Sequence, residues 1–200
     1  MKLSKTTREQ LLNVARRQFA VRGFYGTSIA SIADELGLSK QALLHHFGSK
    51  EKLYGEILKD ISERSLSKII QTQADTSDPL LQLEALMIGR WERQFEHKDD
   101  AQLLTRELLD NQCRAEHVSN WYLKPFLDAL VSIVQKIPSE EELSDTQALA
   151  FVCQLLGAVN YIVMSEPTLT QMFGSKAIDK VKAQYPEQLR LLIRARFPEN

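Results

Sequence analysis

The stretch TSIASIADELGLSKQALLHHF, residues 27–47, decides the fold. Ile29, Ile32, Ala33 and Leu36 recur at i, i+3, i+4 and i+7, the spacing of a short helix with one apolar face. Thr27 is a suitable N-cap for that helix, and Gly37 is its stop. Ser39 can cap a following helix in which Leu43 and Phe47 share a face, ended by Gly48. Two helices joined by a turn of about four residues containing glycine form the helix-turn-helix layout. Periodicity alone also fits a plain three-helix bundle.

The flanks extend the same design. Leu11, Ala15 and Phe19 fall at four-residue steps, with Arg8, Glu9, Arg16 and Arg17 on other faces. An amphipathic helix is therefore expected over roughly 6–22, stopped at Gly23. Ser49 caps a long helix that starts at Lys50. Further on, Asp78-Pro79 opens a helix expected to reach about His97. Leu103, Leu104, Leu108 and Leu109 mark another, to about Gln112. A third is expected from about Ala115 to Ile137, bent at Pro125 because proline lacks the amide hydrogen. Ser144 or Asp145 caps the next, and Pro167, Gly174 and Pro186 bound the remaining segments. No stretch alternates as a strand does, so the chain reads as all-α, with a helix-turn-helix domain over 1–50 and a helical domain over 51–200.

Composition narrows the function. With 44% hydrophobic and 26% charged residues and only 8 Gly and 6 Pro in 200, the chain is neither disordered nor a loop-rich β protein. Cys113 and Cys153 are too few for a disulfide framework or a four-cysteine zinc site. No secretory signal opens the sequence, so a cytoplasmic protein is expected. The net charge of −1 conceals an asymmetry. Residues 1–50 carry eight Lys and Arg against three Asp and Glu, a net of +5, and the remainder therefore carries −6. A basic head on an acidic body is a hint of polyanion binding.

Thr146 to Ser165 is a run of 20 residues without a charged side chain. It is long enough to cross a membrane, but Gln147, Gln154 and Asn160 interrupt it and no Lys or Arg flanks it closely. No membrane partner is expected. A helix apolar on every side has to be buried on every side. Burial against a second copy is favoured over burial within one protomer, with Phe151, Leu155, Val159, Ile162 and Val163 as the candidate dimer face.

With Leu43 and Phe47 facing inward, Lys40, Gln41, Leu44 and His45 lie outward at the start of the second helix of the motif. The first residues of a recognition helix are those that reach base edges. Lys40 suits guanine and Gln41 suits adenine, while Ser39, Thr27, His45 and Lys50 suit phosphate. Across Arg8 to Leu53 the chain resembles the DNA-binding domain of the TetR family of bacterial transcriptional regulators. The resemblance rests on Phe19, Gly23-Phe24, Thr27-Ser28-Ile29, Ile32-Ala33, Gly37-Leu38-Ser39-Lys40, Ala42-Leu43, His45-His46-Phe47 and Ser49-Lys50-Glu51. It covers about a quarter of the chain. It implies a homodimer on palindromic operator DNA, and a C-terminal helical domain that dimerises and binds a small-molecule inducer. It also implies that Thr27 and Lys50 touch phosphate, that Ser39, Lys40 and Gln41 open the recognition helix, and that His45 meets the backbone. Three positions depart from the family pattern. Leu44 stands where tyrosine is usual, Gln41 where a small residue is usual, and Ala30 where many members have a polar contact.

For a small-molecule site the candidates are Met87, Trp91 and Phe95 at four-residue spacing, Cys113, Trp121, Tyr122 and Phe126 around the helix at Pro125, and Asn160 and Tyr161 in the uncharged run. Each also fits ordinary core packing. No catalytic, cofactor or metal motif stands out, so neither an enzyme nor a metalloprotein is expected. His45 and His46 are adjacent on a helix and point about 100° apart, so they cannot share an ion. His97 near Asp99 and Asp100, and Glu116-His117, read as solvated polar faces. The cysteines sit in apolar contexts that favour inert thiols. A ligand-released DNA-binding repressor leads, ahead of a helical adaptor with a basic head and an all-α enzyme.

Overall fold

The computed structural model describes residues 5–109, 122–139 and 142–198, and every regular element among them is an α-helix. In chain order these are α1 (Lys5–Gly26), α2 (Ile29–Asp34), α3 (Lys40–Phe47), α4 (Lys50–Asp75), α5 (Pro79–Glu96), α6 (Lys98–Leu109), α7 (Lys124–Lys136), α8 (Asp145–Phe173) and α9 (Ser175–Arg196). They fall into two compact units. The first takes the chain up to Glu63 together with Lys98–Leu123, and the second takes Arg64–His97 together with the residues from Lys124 on. The unit holding the head thus runs past residue 50, because Leu53, Tyr54, Ile57, Leu58 and Ile61 of α4 are part of its core.

The first unit is built around Phe19, which is fully buried. Its ring meets Phe24 at 6.1 Å and the edge of Tyr54 at 4.9 Å. Leu11, Ala15, Ile32, Ala33, Leu43 and Phe47 close the same core, so the apolar periods of α1, α2 and α3 all point to one place. Gly23, at φ 73° and ψ 175°, breaks α1 where an L side chain would be strained. Arg106 of α6 anchors to the turn before that break, donating from Nε to the Ala20 carbonyl and from Nη2 to the Val21 carbonyl, both at 2.7 Å. The next residue, Glu107, accepts from the Tyr54 hydroxyl at 2.6 Å. The helix α6 is fastened in this way to both α1 and α4.

The cap of α2 differs from the sequence expectation. Ser28, not Thr27, is the N-cap, and it forms a reciprocal capping box with Ser31. Thr27 is 2% exposed, and its hydroxyl lies 2.9 Å from the Gly23 carbonyl and 3.0 Å from that of Gln18. The pair Thr-Ser offers two capping hydroxyls in a row. The open backbone at Gly23 takes the first of them inward, which leaves the second for the helix.

The second unit packs the rest of α4 with α5, α7, α8 and α9 around Leu83, Met87, Leu130, Ile133, Leu155 and Ile193. The expected caps form here. Asp78 accepts from Leu80 N at 2.8 Å, and Ser144 makes a capping box with Gln147. The three prolines act differently from expectation. Pro125 sits at the second position of α7, where no amide donor is required, so it opens the helix rather than bending it. Pro167 and Pro186 lie inside α8 and α9 rather than at their ends, and Gly174 is the break between those two helices.

The long apolar helix α8 turns its candidate dimer residues inward. Phe151, Leu155, Val159 and Val163 are buried in the protomer's own core and Ile162 is half-buried. Opposite them Leu149, Cys153, Gly157 and Tyr161 form an exposed uncharged stripe, with Tyr161 66% exposed. Among the described residues α8 is the helix long and apolar enough to cross a membrane by length and composition.

Replacing Thr27 by Val removes the buried hydroxyl and keeps the shape. Urea unfolding is expected to show a loss of about 1–2 kcal/mol, and an unchanged midpoint would take that hydroxyl out of the turn's support.

Candidate functional site

The helix α3 presents one face because the opposite face is pinned. Leu43 and Phe47 are in the core and Leu44 packs half-buried at its edge, while Lys40, Gln41 and His45 are exposed. The Ser39 hydroxyl oxygen accepts from Ala42 N at 3.1 Å and fixes where the helix begins. Gly48 ends it at φ 79°, with its amide on the Leu44 carbonyl at 2.7 Å. Ser49 then accepts from Lys52 N at 3.2 Å and starts α4. A stop and a start within two residues hold Lys50 close to the end of α3.

Lys50 itself is set on an aromatic plate. Its ammonium lies 4.4 Å from the ring centroid of Phe24, whose edges meet Tyr54 at 5.2 Å and Tyr25 at 5.4 Å. Burial lowers its pKa from the ordinary lysine value, and the neighbouring Glu51 opposes that shift. The cation–π contact holds the charge in one place without neutralising it. Tyr25 is 61% exposed at the same plate. Sequence reasoning missed this support. The available signal was two adjacent aromatics directly after Gly23.

The positive count of the head is only partly available to a partner. Arg8 pairs with Glu56, Arg17 with Glu35, and Arg16 with Asp60 and Asp100. Those guanidiniums bind helices of this unit to one another.

The small-molecule candidates divide into five groups. Trp91, Phe95 and Asn160 are brought together: Trp91 meets Phe95 edge-on at 4.8 Å, and Gln94 Nε2 donates to Asn160 Oδ1 at 2.7 Å. Met87 and Phe126 belong to the core of the same unit, with the Arg90 guanidinium 5.7 Å from the Phe126 ring. Tyr122 belongs to the other unit, where its ring fills the space beside Gly55. Tyr161 faces outward, and Cys113 and Trp121 lie outside the described residues. Three participants were missed by sequence reasoning. Gln94 lies one turn from Trp91, and Tyr185 stacks on Trp91 at 4.2 Å while donating to the Ala158 carbonyl at 2.7 Å. Lys182 pairs with Glu166 and stands 5.1 Å from the Phe95 ring centroid. Burial raises the pKa of the Tyr185 hydroxyl. Among the described residues no group of three metal-ligating side chains occurs.

A capped helix-turn-helix with Lys40, Gln41 and His45 on its open face, followed by a fixed lysine, has the form of a DNA-binding head. Residues 11–57 match the family model described as bacterial regulatory proteins, tetR family. The chain is 34% identical over 91 residues to the HTH-type transcriptional repressor KstR2 of Mycolicibacterium smegmatis, covering 46% of this chain and 44% of that protein. It is also 34% identical over 82 residues to the HTH-type transcriptional regulator LmrA of Bacillus subtilis, covering 40% and 44%. The chain thus spans about half the length of the curated relatives it matches. The fold reaches further. The fatty acid degradation regulator FadR from Bacillus halodurans superposes over 100% of both chains with a TM-score of 0.77 at 16% identity. The ketosteroid regulator KstR2 of Mycobacterium tuberculosis covers 94% of this chain and 95% of its own, with a TM-score of 0.66 at 19% identity.

In DNA-binding titrations Lys50→Ala is expected to lower the slope of log K against log salt by about one. Arg17→Gln is expected to leave that slope unchanged, since the Arg17 charge is held by Glu35. Equal slopes for the wild type and Lys50→Ala would take the lysine off the phosphates.

Proposed function

We propose that the chain is a cytoplasmic, dimeric transcriptional repressor that grips a palindromic operator and is released from it by a small-molecule ligand. The observation that carries this reading is the open face of α3, with Lys40 and Gln41 in its first turn and the fixed charge of Lys50 just past its last. Lys40 donates to guanine and Gln41 pairs with adenine in the major groove. Ser39, His45 and Lys50 hold the backbone. Thr27 contributes by shaping the turn that aims α2, because its hydroxyl is engaged within the head. Leu44, half-buried, offers a thymine methyl an apolar contact.

The exposed stripe of α8 supports the second copy. Leu149, Cys153, Gly157 and Tyr161 carry no charge. The neighbouring helix α9 adds exposed Val181, Leu191 and Leu192. Obligate interfaces between identical subunits have this apolar character. A twofold pair places two heads on half-sites about one helical turn apart. The helix α4 contributes to both compact units and is the covalent route by which a change in the body reaches the head. A ligand that binds one packing of the body better than another shifts the population between them, and with it the DNA affinity. This is the work of a regulator, not of an enzyme.

Selection of bound sequences from a random duplex pool is expected to return a site with twofold symmetry, carrying two protomers. Uniform, salt-sensitive binding without sequence preference would favour the adaptor reading instead. Tyr161→Glu and Leu192→Glu are each expected to shift the chain from dimer to monomer in sedimentation and to weaken operator binding at least about tenfold, the equivalent of 1.4 kcal/mol. A persistent dimer in both variants would move the interface elsewhere.

A further inference from the structure

The interior of the second unit contains a polar group left incomplete among the described residues. Gln94 of α5 is 5% exposed, its Nε2 donates to Asn160, and its Oε1 accepts no hydrogen bond among the described residues. A buried acceptor without a donor keeps its full desolvation cost. A native core keeps such a group where something else supplies the missing bond.

The surroundings indicate what that is. Trp91 and Met87 lie three and seven residues before Gln94, on the same side of α5, and both are buried. Phe95 and Tyr185 add two more rings against Trp91. The Tyr185 hydroxyl cannot complete Gln94, because it donates to the Ala158 carbonyl. An oxygen acceptor repels a carboxylate or phosphate and accepts from O–H or N–H. Turning the amide over would leave the NH2 incomplete instead, and a hydroxyl satisfies either orientation.

We propose that Gln94 determines ligand specificity in this unit, and that the ligand is a ring-bearing, largely apolar molecule whose hydroxyl donates to the Gln94 amide oxygen while its ring packs against Trp91 and Phe95. The proposal rests on the reading of the chain as a ligand-released regulator. It differs from a water-filled polar site in requiring an apolar body on the same molecule as the donor. The Gln94–Asn160 bond joins α5 to α8, so the hydroxyl that completes Gln94 also fixes the spacing of two helices of the body.

The test uses 4-fluorophenol and 4-fluorotoluene, which have similar shape and differ by the hydroxyl, titrated into the full chain and followed by fluorine NMR. Saturable binding of the phenol about tenfold tighter than the toluene is expected, as one buried hydrogen bond of about 1.4 kcal/mol gives. Gln94→Leu is expected to abolish that preference. Equal binding of the two probes, or no saturable binding of the phenol, overturns the proposal, and this comparison needs only the unaltered protein if Gln94→Leu does not fold. Operator binding is measured on the same sample. Probe failure with operator binding intact removes the Gln94 assignment alone. Selective phenol binding that leaves the operator bound would count against ligand release by this chemistry and retain Gln94 as a binding residue.

Discussion

The head depends on the burial of Phe19. Because that ring has to be covered on all sides, α1, α4 and the Gly23–Gly26 turn converge on it through Phe24 and Tyr54. Each of those two rings then has a second task. Phe24 carries the Lys50 ammonium on its face, and Tyr54 donates to Glu107 of α6. A single apolar constraint therefore fixes the lysine beside α3 and the helix that braces the head. The polar features of the interface follow from the core beneath them, which is the usual direction of cause where a site sits on rigid elements.

Local signals were legible in the sequence and long-range ones were not. Ser39, Ser49, Asp78 and Ser144 cap the helices that their positions announced, since a cap involves only the next three residues. Thr27 misled because its hydroxyl had a distant alternative, the carbonyls exposed near the break at Gly23. Pro167 and Pro186 read as boundaries by propensity, yet packing of α8 and α9 carries both helices through. The seam of α8 was a harder case. In a helix without charges, periodicity shows no polar side, so Phe151 and Leu155 could not be told from Leu149 and Tyr161 until the core claimed the first pair.

Charge shows the same division. The +5 of residues 1–50 is a correct count, but a count has no geometry. Arg8, Arg16 and Arg17 are paired with carboxylates of α4, of α6 and of the residue that ends α2, and three of the four pairings reach beyond residue 50. Such pairs at the surface contribute at most about 1 kcal/mol each. Their main consequence is to withdraw three guanidinium charges into pairs within the head, while Arg22, Lys40 and Lys52 stay exposed and Lys50 stands half-buried on Phe24. A surface with fewer, better placed cations binds polyanions less strongly overall and discriminates more by position.

The body, around its apolar core, also holds a few polar groups inside and a few large apolar ones outside. Gln82, Glu84 and Gln94 are buried in α5, while Leu149, Tyr161, Val181 and Leu192 are exposed on α8 and α9. A protein selected for stability alone would exchange them, since each buried amide has to find a partner and each exposed ring gains nothing from water. Glu84 has its partner in Arg194 at 2.7 Å, so the inversion is not a general fault of the helix. What remains is an exposed apolar face and a buried amide oxygen without a donor among the described residues. The proposed dimer and the proposed ligand would complete them. On that reading, binding by either partner adds stability in proportion to the logarithm of its concentration over its dissociation constant. On the proposed reading, a ligand that completes this packing would shift the population between states of the body by its differential affinity for them.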